Sequence, residues 1–376
     1  MSKPATSTDL GTPSYGGGWI WSPRIDLSVF GGSALGSLLL VGLNQKLGWS
    51  TEPFPEWAWL VLILGVDVAH VYATLFRTYL NVSELKRKPL RYFGLPAALY
   101  VAGVALFYAG SGLFWRCLAY LAVWHFVRQQ LGWVRVYRAC AQARTKIDAW
   151  IDEGAIYAAT LVPVFVWHTR LNTARFNWFV AGDFVDVAAT LAPLLPLAWG
   201  VWGVLLGTFA LRQLALWHST RRLELGKVVL VASTAAVWWL GIVGTNSDFD
   251  FTATNVLAHG VPYMCLLWMY ARAQAKLGAR SLSASIAGAG FAGFIGVLWA
   301  FGLLEEFGWD RFVYHERSWL FGGSTALQAP LLIFIVPLLA LPQVTHYALD
   351  GLLWRRSETS ADPAQKLALG MAKGSD

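Results

Sequence analysis

The chain has 376 residues, 56% of them hydrophobic and only 14% charged, where a soluble domain carries nearer a quarter. Its net charge is +7, but Lys and Arg fall in short loops between apolar runs, which excludes a continuous basic face and a nucleic-acid partner. Cys117, Cys140 and Cys265 have no paired spacing, so neither a disulfide framework nor a thiolate metal site is available.

Residues 1–26 are polar and contain Gly, Pro and Ser. Within them "YGGGW" (15–19) reads as a flexible entry, because it follows no strand and matches no phosphate-binding loop. No compact leader pattern occurs, so the first apolar run is expected to remain as a signal anchor. Apolar runs of about 20 residues, enough to cross about 30 Å of hydrocarbon, then recur along the chain. They predict ten spans: 27–45, 56–80, 92–110, 113–137, 152–169, 185–216, 228–245, 252–271, 282–304 and 325–350. The sixth is too long for one upright crossing and is expected to tilt, project or break near Pro193 and Pro196. Residues 356–376 are polar and rich in small residues, and are expected to be a disordered tail. The fold class is therefore all-α, a polytopic integral membrane bundle of about ten transmembrane helices, with one domain over 27–355.

The loops alternate in sign. "LKRKPLR" (85–91), "RVYRACAQARTK" (135–146), "RRLELGK" (221–227), "ARAQAKLGAR" (271–280) and the tail after "WRR" are basic. "STEPFPE" (50–56), "AGDFVD" (181–186), "NSDFD" (246–250) and "LEEFGWDRF" (304–312) are acidic or mixed. The positive-inside bias places both termini in the cytoplasm, of a plasma (inner) membrane.

Seven histidines divide into two groups. His218 and His315 fall in or beside loops, and His168 closes the fifth span in "PVFVWHTR". His70, His125, His259 and His346 lie inside spans two, four, eight and ten, which all run in one direction. Each precedes a basic residue near the inner end of its span by about 10–20 Å, at about 1.5 Å per residue. The four imidazoles can therefore share one layer in the inner half of the membrane.

Helical spacing adds companions. Asp67 precedes His70 by three positions and Asp350 follows His346 by four, so each pair shares a face. Gln129, Asn255 and Gln343 stand in the same relation to His125, His259 and His346. A carboxylate within a span costs about 2.5–3.5 kcal/mol on insertion scales and needs a partner inside the bundle. These patterns make His70, His125, His259, His346, Asp67 and Asp350 candidate metal ligands, with Gln129, Asn255, Gln343 and His168 as supports. Asp67, Asp350 and Arg128 are the catalytic candidates; Arg128 either pairs with an Asp, holds an anionic group, or snorkels. Arg77 and Arg355 read as interfacial anchors, and Tyr72, Tyr137, Tyr263 and Tyr347 as hydrogen-bond donors near the site or plain core residues. Pro262 either frees a carbonyl toward the cluster or kinks its helix.

Imidazole and carboxylate without thiolate suit iron, zinc or manganese. Six candidate ligands exceed the three of a catalytic zinc, which favours a dinuclear site or one metal with the carboxylates behind its ligands; the expected function is a non-haem iron oxidoreductase of the oxygenase, hydroxylase or desaturase type. Its partners would be the lipid bilayer, a lipid or other apolar substrate and an electron-donor protein. In chemistry alone such a centre resembles the integral-membrane desaturases and hydroxylases; their HxxxH and HxxHH boxes do not occur here, so no residue is carried over. The alternatives are a zinc hydrolase with an Asp as general base, a bis-His haem protein, and a proton-coupled transporter using the same His and Asp residues.

Overall fold

A computed structural model describes residues 18–48, 54–140, 145–221 and 223–371. Most of the expected flexible entry and the last five residues of the tail lie outside them. Among the described residues every regular element is helical. Ten long helices follow in chain order: α1 Pro23–Leu47, α2 Glu56–Phe76, α3 Leu90–Ala109, α4 Ser111–Cys140, α5 Lys146–His168, α6 Ala188–Thr220, α7 Leu225–Gly244, α8 Asp248–Lys276, α9 Phe291–Tyr314 and α10 Ala329–Leu353.

Eight of these are long and apolar enough to cross a membrane. α4 and α8, with 30 and 29 residues, have the length but not the apolarity. The expected ten spans thus resolve into eight apolar helices and two long polar ones. The polarity of α4 and α8 comes partly from His125, Gln129 and Gln130 on one and Asn255 and His259 on the other, all buried.

Local signals set the helix ends. The Ser22 hydroxyl accepts from Ile25 N ahead of Pro23, and Thr145 with Asp148 forms a reciprocal capping box at the start of α5. Gly48 closes α1 in the left-handed region at φ 69°. α6 passes through a 3₁₀ turn at Ala192–Leu194, around Pro193, where a break was expected.

Two expectations are corrected. The ninth crossing does not occupy 282–304. A short helix, Leu282–Gly288, ends before Gly290, whose φ of +107° an L side chain rarely adopts, and α9 begins after it. Hydropathy runs through this break unmarked. Glu305 and Glu306, read as an outer loop, therefore lie inside α9. The tail is ordered over its described part, as Arg356–Ala361 and Pro363–Ala368. Its small residues Ala364 and Ala368 pack into the main core with Leu369, and Asp362 caps the second helix through Ala364 N and Gln365 N.

That docking also shows where the chain's described ends meet, since Trp21 Nε1 donates to the Ala368 carbonyl at 2.7 Å. Arg77, expected to be an anchor, is fully buried there. Its guanidinium faces Asp362 at 3.1 Å and Glu84 at 3.5 Å, donates to Gln365 Oε1 and lies over the Tyr270 ring. Arg355 is exposed and donates to its own helix at Gly351 O.

The helices that matter to the site form a closed ring in which α2 packs on α8, α8 on α4, α4 on α10 and α10 on α2. α3 and α6 lie outside it with few buried residues.

Candidate metal centre

The ring of helices produces a ring of imidazoles. Going round it, the centroid separations are 4.7 Å for His70–His259, 5.0 Å for His259–His125, 4.7 Å for His125–His346 and 5.0 Å for His346–His70. All four side chains are buried, none more than 4% exposed. Their Nε2 atoms point inward: His259 and His70 approach to 3.2 Å, His346 and His125 to 3.2 Å. One ligand atom from each lies within 4.8 Å of every other.

Backbone approach makes this convergence possible. Gly260, next to His259, faces α2 so closely that a Cβ there would meet Val66 Cγ1 at 2.6 Å and the Val66 carbonyl at 3.3 Å. α2 itself winds as a wide π-helix over Trp59–Val68 before returning to α-geometry at Ala69, one residue before His70. On α8, Pro262 has no N–H to give the Ala258 carbonyl. Gln130 Nε2 supplies a donor at 3.4 Å, while Gln129 Nε2 donates to the His259 carbonyl at 2.8 Å. Gln129 thus holds α8 against α4 through the backbone of a site histidine.

The outward-facing Nδ1 atoms meet a second set of groups. His346 Nδ1 is 2.7 Å from Thr74 Oγ1, which is in turn 3.1 Å from the Tyr263 hydroxyl. His125 Nδ1 lies 3.7 Å from Asp350 Oδ2, and His70 Nδ1 lies 3.8 Å from Asp67 Oδ1. Asp350 also lies near the Tyr263 hydroxyl. His259 Nδ1 is buried without a partner, its ring stacked on Phe126 at 3.6 Å. Tyr347 stacks on His125 at 4.6 Å, with Gln343 at its hydroxyl.

Asp67 and Asp350 therefore stand behind two of the imidazoles and outside the inward-facing donor set. At 3.7–3.8 Å neither carboxylate hydrogen-bonds its imidazole directly, but a negative charge on the Nδ1 side favours the tautomer protonated there, which leaves the Nε2 lone pair free. Asn255 turns away and donates to Phe251 O in its own helix.

Two further candidates are placed elsewhere. Arg128 lies over the Trp124 ring and donates to the Tyr157 hydroxyl at 3.4 Å, so it pairs with neither Asp. His168 is satisfied where it sits, with Nε2 3.0 Å from the Tyr120 hydroxyl and Nδ1 2.8 Å from Val164 O. Tyr137 belongs to a separate knot and donates to Asp26 at 2.9 Å.

Sequence reasoning missed Thr74, Phe126, Glu305 and Glu306. Thr74 carried a usable signal, since it follows His70 by one helical turn. Phe126 carried none, because an aromatic residue beside a histidine is ordinary core. The glutamates were hidden by the misplaced ninth span. Tyr72, one of the four tyrosines considered, donates to Glu305 Oε2 at 2.7 Å.

Chemically, two neutral imidazoles can hydrogen-bond through facing Nε2 atoms only if one acts as donor. A cation at the centre lets all four present lone pairs. Metal–nitrogen bonds of about 2.0–2.1 Å in a tetrahedron separate the nitrogens by about 3.3 Å. The 3.2 Å separations of His70 from His259 and of His125 from His346 match that, and the remaining pairs, within 4.8 Å, need only a small contraction. The buried four-histidine group could hold a metal ion. No protein-family model matches the chain, and no curated protein or solved structure matches it.

Proposed function

We propose that the protein is a multi-pass membrane metalloenzyme in which His70, His125, His259 and His346 hold one redox-active ion, iron first. The observation that carries this reading is the convergence of one ring nitrogen from each of four buried histidines to within 4.8 Å of one another, with Nε2 facing Nε2 at 3.2 Å in two pairs. The donor set favours a single ion over a dinuclear centre, because both carboxylates stand behind imidazoles and bridge nothing. It also argues against haem, since four nitrogens this close leave no space for a macrocycle between them.

Ligand number separates iron from zinc. Catalytic zinc keeps three protein ligands and an open position, so four imidazoles would saturate it and leave a structural site. Iron accepts further ligands beyond four and, when bound, supplies one-electron chemistry. Thr74 orients His346, the charges of Asp67 and Asp350 on the Nδ1 side of His70 and His125 bias their tautomers, and the aromatic rings of Phe126 and Tyr347 exclude water. A group enclosed within the membrane's thickness selects a lipid or another apolar substrate, oxidised with electrons from a donor protein docking at the basic end. That end is read as cytoplasmic, in a plasma (inner) membrane.

Elemental analysis of the detergent-purified protein, prepared without chelator, tests this directly. One iron per chain is expected, lost in both His70→Ala and His346→Ala. Zinc at that stoichiometry would overturn the redox assignment. No bound metal, with the protein folded, would overturn the metal centre.

A further inference from the structure

Resting on the metal reading above, we infer that the half-buried carboxylates of Glu306, Glu305 and Asp67 form an admission route by which a divalent cation reaches the four histidines. The route starts at the end of the bundle opposite the docked tail. There the close of α9 and the start of α2 meet, with Arg317 Nε 3.5 Å from Glu56 Oε2. Glu306 and Glu305 lie eight and nine residues in from Tyr314, and Asp67 and His70 eleven and fourteen residues in from Glu56.

The three carboxylates thus descend in depth toward the site. They are within electrostatic reach of one another. Glu305 is held by the Tyr72 hydroxyl at 2.7 Å and by Trp309 Nε1 at 3.2 Å.

The independent observation is at the lower end of this row. His70 is 99% buried, its Nδ1 has no hydrogen-bond partner, and that nitrogen faces Asp67 Oδ1 at 3.8 Å. The row therefore ends on a ligand of the proposed centre and not on a structural ion pair. Among the described residues no ion pair joins a basic residue to Asp67 or Glu305. Arg317, at the mouth, is engaged by Glu56 and Glu316, stacks on Trp59 at 4.2 Å and attracts the Glu306 carboxylate. A polar step of this kind is what a hydrated cation needs to pass an apolar helix layer, because each carboxylate replaces part of the lost hydration.

The test is the rate at which chelator-stripped, detergent-solubilised protein takes up Co²⁺, followed optically. In the Glu305→Gln, Glu306→Gln double variant uptake should slow by at least about tenfold, with the final cobalt per chain unchanged. The charge-conserving Glu305→Asp, Glu306→Asp variant should load near the wild-type rate, which separates lost charge from a damaged fold. An unchanged rate in the Gln variant would overturn the route, as would a lower final cobalt content. Failure of the metal centre itself would be recognised separately, because the wild type would then take up no cobalt.

Discussion

Thr74 is the residue on which the site's orientation most visibly turns. Its hydroxyl bridges His346 Nδ1 and Tyr263, and all three groups are buried. Thr74→Val keeps the shape and removes the bond. Second-sphere losses of this type cost about 10–100-fold in metal affinity, so the variant should bind metal at full stoichiometry but release it to a weaker chelator. Asp350→Asn should behave similarly through His125. Arg128→Ala, by contrast, should leave metal content and affinity unchanged, because its guanidinium is spent on Trp124 and Tyr157. A competition titration with a chromophoric chelator reads all three. A tight-binding Thr74→Val would show that His346 is oriented by packing alone.

Between elements, the decisive approach is that of α2 to α8. A methyl at Gly260 would press on Val66 Cγ1 and on the α2 backbone. Gly260→Ala should therefore destabilise the protein by about 1–3 kcal/mol and lower metal affinity by moving His259 away from His70. Adding Val66→Ala opens the space for that methyl and should recover part of both losses. A thermal unfolding series on the two singles and the double measures the coupling. Strict additivity would place the strain somewhere other than this contact. The π-helical stretch before His70 and the carbonyls taken up by Gln129 and Gln130 belong to the same scale. Each bends or spaces a helix so that an imidazole reaches the centre.

Across the whole molecule, the tail closes the basic end through a buried polar layer. Asp362→Ala would leave the Arg77 guanidinium without its 3.1 Å partner. A loss of about 1–3 kcal/mol is expected, read as a lower unfolding temperature. The layer is also pH-dependent. Burial works against the Glu358 carboxylate, but Lys88 and Arg91 overcome it and hold its pKa down to about 2, from an ordinary 4.5. Glu84 is likewise held low: burial opposes its charge, and Tyr92, Arg77 and Arg87 outweigh it. A carboxyl with a depressed folded pKa contributes stability that is full above its unfolded value and is lost as pH falls through the folded one. Tail docking should therefore weaken below about pH 4.5, seen as faster proteolysis after Arg355. In Glu358→Gln that dependence should flatten.

How much of this was legible in the sequence follows from what each signal measures. Apolar runs of bilayer length reveal a helical membrane bundle, because only intrasegment hydrogen bonding satisfies a backbone in hydrocarbon. Helical spacing placed a polar companion beside each of His70, His125, His259 and His346, because one turn of helix fixes which side chains share a face. Hydropathy could not see Gly290, since a positive φ changes no transfer energy, and so it misplaced Glu305 and Glu306. It also read the tail's alanines as disorder, although small residues are what let a short helix lie close against a core.

The order of the four helices around the site belongs to the tertiary structure alone. So do the inward turn of four Nε2 atoms and the retreat of Asp67 and Asp350 behind them. These depend on contacts between segments up to 276 residues apart, such as His70 with His346. Periodicity along one helix fixes a direction relative to its own axis. Only the packing of one helix against another fixes what that direction faces.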